Sequence, residues 1–182
     1  LLMDLQSDTQ EKYYAQYWKK LENNVSADSK SLELFFRFYL AVKKYELVSK
    51  TNVYREFVQW VEDTNYGIKP LFEELLYYAK IYEVLMFEDL NNIDGQLRAV
   101  LEDFRKVSSD IPMALVMEIY KLYYEKNIDT NTMKEVLLSV NSYMIRRSLC
   151  DMNSQNISKL FPTVLKKVLE KCDGNYTKIV SI

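Results

Sequence analysis

Not one of the 182 residues is a histidine. That absence removes the Ser/His and Cys/His nucleophile pairs, the imidazole acid or base, and the ordinary His-containing metal sites. Only two cysteines occur, Cys150 and Cys172, too few for a disulfide framework or a thiolate zinc site. Three glycines and three prolines are too few for a turn-rich sheet protein, and no Gly-rich phosphate loop is present. No signal-peptide pattern and no apolar run of membrane-spanning length is found, so a cytoplasmic chain without a membrane partner is expected. Neither sign of charge dominates: 24 Lys and Arg stand against 26 Asp and Glu, net −2, and no global field points to nucleic acid or membrane. The charge is uneven, however. Residues 145–182 are net +4 and the rest net −6.

What is present is helical pattern. With 48% hydrophobic and 27% charged residues, the composition is that of a globular chain of one-domain size. Tyr14, Tyr17, Trp18 and Leu21 recur at helical spacing after Ser7-Asp8-Thr9-Gln10, which reads as a capping box. Leu32, Phe35, Phe36, Tyr39 and Leu40 follow the i, i+3, i+4, i+7, i+8 template, after a cap between Asp28 and Ser31. Tyr54, Phe57, Val58 and Val61 form the next inward face, with Trp60 beside them. Gly67 is expected to end that helix and Pro70 to open the next, which is apolar nearly all round to about Glu88. A fifth helix carries Leu97, Val100, Leu101 and Phe104. A sixth, from Asp110 and Pro112, carries Leu115, Ile119, Leu122 and Tyr123. An eighth holds Ile157, Leu160, Phe161, Val164, Leu165 and Val168 in one register across Pro162. An interior proline costs roughly 3 kcal/mol, but the unbroken register favours a kink over a break.

The seventh helix, Met133 to Cys150, is expected to be the centre. Met133, Val136, Leu137, Val140, Tyr143 and Met144 form one stripe, and Leu138, Ile145 and Leu149 a second on another side. Two stripes imply neighbours on both. Arg147 projects into the first stripe, where an unpaired guanidinium is too costly. It is therefore expected to serve structure, buried against a carboxylate or helix-end carbonyls, with a phosphate as the sharper alternative.

Candidate chemistry is sparse. The adjacent carboxylates Glu73-Glu74, Glu88-Asp89 and Glu102-Asp103 point about 100° apart on a helix and are expected to be solvated or salt-bridged. Fifteen tyrosines could form a base-stacking surface, but most fall at core-edge spacing. Lys159, Lys166 and Lys167, with Lys171, lie opposite the apolar face of the eighth helix, as a solvated face or a strip touching phosphates. No catalytic, cofactor-binding or metal-binding residue emerges, and no cofactor is expected.

Several strings in order carry a resemblance. They are Leu1-Leu2-Met3, then Glu11 to Trp18 (EKYYAQYW), Phe35 to Leu40 (FFRFYL), Val53 to Phe57 (VYREF) and Ser142 to Cys150 (SYMIRRSLC). In this order the chain resembles the α-helical region of the GmrSD-like family of modification-dependent (type IV) restriction endonucleases. In that family a ParB-like nucleotide-binding and nuclease domain precedes the helical region, and many members end in a His-Asn-His nuclease. The family's Asp-Gly-Gln-Gln-Arg motif is missing. Asp94-Gly95-Gln96-Leu97-Arg98 looks like it, but continues Ala99-Val100 where Leu-Thr is required, so no catalytic residue is carried over.

The expectation is thus one all-α domain over residues 1–182, of about eight helices around Met133 to Cys150. It opens without an initiator Met and is expected to be part of a longer protein. The resemblance implies a non-catalytic domain that couples or positions flanking domains of a phage-defence endonuclease, or helps hold DNA; the net +4 of residues 145–182 and Lys159, Lys166 and Lys167 would suit weak, sequence-independent DNA contact. The alternative is a stand-alone helical protein–protein interaction module. Far-UV circular dichroism should be dominated by helix; a sheet contribution above about a tenth of residues contradicts the periodicity.

Overall fold

A computed structural model describes residues 7–25, 29–107, 111–150, 157–173 and 175–181. The described residues contain eight helices, no strand, and one shared hydrophobic core. None of these helices is long and apolar enough to cross a membrane.

Helix α1 (residues 7–24) is not uniform. Its segments Ser7–Tyr13 and Lys19–Asn24 are joined by a π turn, Tyr14–Trp18. The wider turn breaks the 100° phase, so Tyr14 is exposed instead of inward, and Tyr13 packs inward. Tyr13 and Tyr17 both meet Phe72, with ring centroids at 5.8 and 5.5 Å. The side chains of Ser7 and Asp8, and Asp28 and Asp110, lie outside the described residues, as do the caps expected there.

Helix α2 (Ser29–Lys44) buries Phe35, Phe38, Tyr39, Leu40, Ala41 and Val42, a face wide enough to serve several neighbours. A 3-10 turn, Lys50–Asn52, leads into α3 (Val53–Thr64). There the inward stripe is Val53, Phe57 and Val61; Tyr54, expected inward, is 80% exposed. The i, i+4, i+8 stripe beginning one residue earlier turns Tyr54 outward. Gly67 does not terminate α3: Asn65, at φ 49°, takes the left-handed position, and Gly67 precedes α4 (Ile68–Met86) in an extended conformation. Pro70 occupies the first turn of α4 as expected, and α4 is apolar on most sides.

Asp94 caps α5 (Gly95–Val107), its carboxylate accepting from the Gln96 amide at 3.0 Å, so the Asp94–Arg98 string is a helix start. In the same way Asp129 caps α7 (Thr130–Leu149), accepting from the Thr132 amide at 2.7 Å. That bond holds the Asp129 carboxyl below its usual range. Helix α8 (Ile157–Cys172) continues through Pro162, and a 3-10 segment, Tyr176–Ser181, follows.

The centre of the fold is α6 (Met113–Tyr124), not the helix expected there. Nine of its twelve residues are buried, and it packs against α2, α4, α7 and α8. Helix α7 buries only Met133, Leu137, Val140 and Asn141. Its second stripe faces solvent, with Leu138, Ile145 and Leu149 exposed by 47, 44 and 81%. Apolar side chains on a helix do not by themselves oblige burial, which is why the second stripe misled.

Arg105 ties α5 to the end of α4. Its guanidinium donates to the carbonyls of Leu85, Val84 and Glu88 at 3.1, 2.6 and 2.8 Å. Those of Val84 and Leu85 are last-turn carbonyls that a helix terminus leaves without intrahelical partners, and Glu88 lies just beyond them. Arg105→Ala should lower stability by about 2 kcal/mol, and Arg105→Lys should recover less than half of that, because an ammonium cannot span three acceptors. Urea midpoints of the two variants check this.

Candidate functional site

The most concentrated chemistry lies where α2, α4 and α6 meet. Glu118 sits on the central helix and is only 6% exposed. Its carboxylate accepts from the Tyr78 hydroxyl at 2.5 Å and from Lys121 Nζ at 3.1 Å. Lys121 is three residues on, so one helical turn places the ion pair. On α4, Glu74 accepts from the Tyr39 hydroxyl at 2.7 Å and the Tyr66 hydroxyl at 2.9 Å, and forms an ion pair with Lys43 of α2. Tyr78 stands between the halves: Lys43 lies 5.3 Å and Lys121 5.6 Å from its ring centre. The result is two carboxylates, two ammonium groups and three phenols, each with a partner.

Electrostatics reinforce this closure. Burial, with the Glu118 charge and hydrogen bond, holds the Tyr78 hydroxyl far above its usual range; burial and Glu74 do the same for Tyr39. Burial alone would raise the Glu74 carboxyl, but Lys43, Tyr39 and Tyr66 together hold it below its usual range. Burial alone would lower the Lys121 ammonium, yet Glu118 raises it. Each of these shifts carries the titration of its group further from neutral pH. Among the described residues no three acidic or cysteine side chains are grouped so as to hold a metal ion.

The residues singled out in the sequence lie elsewhere. Lys159, Lys166, Lys167 and Lys171 are all exposed on α8, with Glu170 3.9 Å from Lys166. Arg147 is half-buried in the last turn of α7, less enclosed than its place in the stripe implied. Neighbouring Arg146 is exposed and donates to the Ser142 carbonyl at 3.2 Å. Of the paired carboxylates, Glu73 faces Lys69 at 3.7 Å, Asp103 faces Lys106 at 3.6 Å, and Glu102 is exposed. Glu74 alone enters the buried network. Exposed tyrosines are Tyr14, Tyr45, Tyr54 and Tyr124, spread over separate parts of the chain, while the other eleven are buried or half-buried. Near Tyr124 an open hollow of about 770 Å³ includes Tyr123, Tyr176 and Lys126.

Sequence reasoning missed Glu118, Lys121 and Lys43 as a unit. The available signal was that Glu118 and Lys121 are the only charges in a twelve-residue helix, spaced to pair. Comparison with known proteins gives no match to a family model, to a curated protein or to a solved structure.

The network sets the pH range of the fold. Neutral Tyr39 and Tyr78 and charged Lys121 favour the native state fully below about pH 10, where the unfolded groups begin to lose protons, and that contribution is lost as pH rises from there through their raised folded values. The contribution of Glu74 is present above its usual carboxyl range and is lost as pH falls through its lowered folded value. Burial pushes Tyr77 and Tyr120 up to about 12, adding to the alkaline effect. In a tyrosinate absorbance titration, Tyr39 and Tyr78 should ionise only as helical dichroism is lost. Ionisation of all fifteen tyrosines in a still-helical chain contradicts the network.

Proposed function

We propose that the chain is a non-catalytic helical domain of a GmrSD-like DNA endonuclease of phage defence, acting in the cytoplasm. It positions or couples the nucleotide-binding and nuclease domains that flank it in such proteins. The order of the EKYYAQYW, FFRFYL, VYREF and SYMIRRSLC strings links it to that family. The observation that carries the coupling role is the closed charge network joining α2, α4 and α6. Breaking one member strands a buried charge, at about 3–5 kcal/mol, so the three helices move as one body. A body that does not deform transmits displacement from one neighbour to another. The exposed Lys159, Lys166 and Lys167 give it a face for weak, sequence-independent phosphate contact.

A second reading, a stand-alone protein–protein interaction module, is favoured by the exposed Leu138, Ile145 and Leu149 stripe. A ParB-like domain with Asp-Gly-Gln-Gln-Arg, encoded in frame upstream of Leu1, would support the coupling role over this module.

The purified chain should neither hydrolyse nucleotide nor cut DNA. Anisotropy with labelled duplex should show a Kd no tighter than roughly micromolar at physiological salt, weakening as salt rises. Lys166→Glu with Lys167→Glu should weaken it further. Binding indifferent to both lysines removes the DNA contact and leaves a structural coupler. Metal-dependent cleavage abolished by Glu102→Gln or Asp103→Asn overturns the non-catalytic assignment.

A further inference from the structure

Helices α6, α7 and α8 do not close completely on one another. Between them is a cleft of about 330 Å³. Its floor is made by buried Leu115 and Ile119 of α6 and buried Phe161 of α8; exposed Ser139 and Val180 mark its mouth. Tyr143 stands edge-on to Phe161, with ring centroids 5.8 Å apart at 87°, so one wall is held by an aromatic pair. The segment Tyr176–Ser181 packs on α7 and α8 and contributes the wall at Val180. Among the described residues no charged side chain lines the cleft, and of the lining side chains only Ser139 and Tyr143 carry a polar atom.

The cleft is open to solvent along its mouth, while its floor of buried Leu115, Ile119 and Phe161 is apolar. Water gains little there, for it needs two to four polar partners. A carboxylate or ammonium on that floor would meet no counter-charge among the described residues and would lose solvation. The size is at the lower end of the range for ligand pockets, and the lining has their usual composition, apolar with a few hydrogen-bonding groups.

We propose that this cleft binds an uncharged aliphatic molecule of about ten carbons, short enough to fit within that volume at interior packing density. Its chain lies against Leu115, Ile119 and Phe161. A terminal hydroxyl or amide is placed at the mouth, within the reach of the Ser139 and Tyr143 hydroxyls. The site is independent of the coupling role proposed above, and its test does not depend on flanking domains.

The probe is 1-decanol, compared with decanoate and decylamine, each displacing N-phenyl-1-naphthylamine from the purified chain. Decanol should bind saturably at one site and raise Tm, since a ligand for the native state alone stabilises it. Both charged analogues should bind at least tenfold more weakly. Ser139→Trp places a large ring at the exposed mouth without entering the core, and should weaken decanol at least tenfold with helicity unchanged. Val164→Phe, from a half-buried position, should act likewise. No saturable decanol binding, equal binding of all three probes, or binding unaffected by Ser139→Trp overturns the proposal. So does a self-associating chain that Ser139→Trp makes monomeric, because a second copy then fills the cleft.

Discussion

A carboxylate in the middle of a helical core is the constraint on which the rest of this fold depends. Glu118 belongs to the one helix that is buried nearly all round, and it cannot remain there without donors. Lys121 supplies one from its own helix and Tyr78 another from α4. Lys43 then stacks over Tyr78 and meets Glu74, bringing in α2, and Tyr66 extends the chain of contacts to the loop after α3. Greasy contacts permit many sliding arrangements of three helices. A string of directional partners of alternating charge permits far fewer, and this is how a core rich in Tyr and Phe acquires a single register.

Asn141 has a related place on the other side of the molecule. It is buried in α7 and donates to the Val100 carbonyl of α5 at 3.3 Å, while its own carbonyl oxygen meets no donor among the described residues. An apolar residue would pack there without that loss. The amide therefore marks how α5 and α7 are aligned, at some expense in stability.

Helix identity was legible because period is local: Leu97, Val100, Leu101 and Phe104 need no knowledge of the rest of the chain to be read as one face, and they are one. Phase was less legible. Tyr14 and Tyr54 turned outward because a π turn and an earlier helix stripe, respectively, shifted the wheel, and neither shift has a strong local signature. Centrality was the least legible. Helix α7 carries more obvious stripes than α6, yet what buries a helix is the number of partners around it, a tertiary property. The buried network was hidden for the same reason: Tyr39 and Glu74 are 35 residues apart, and Tyr78 and Glu118 are 40 apart. Lys159, Lys166 and Lys167 were placed on the solvent side because they needed only the phase of one regular helix.

The π turn in α1 also bears on how this chain tolerates changes of length. Elsewhere in a helix, loss of one residue rotates everything beyond it by about 100° and destroys its contacts. A π turn holds one residue more than an α turn spanning the same height. Deleting a residue between Tyr14 and Trp18 could therefore convert the turn to ordinary α-helix while Tyr13 and Leu21 keep their directions. This short stretch is a slack loop in a rope otherwise under tension: a single-residue deletion can be absorbed there without re-sorting inside from outside.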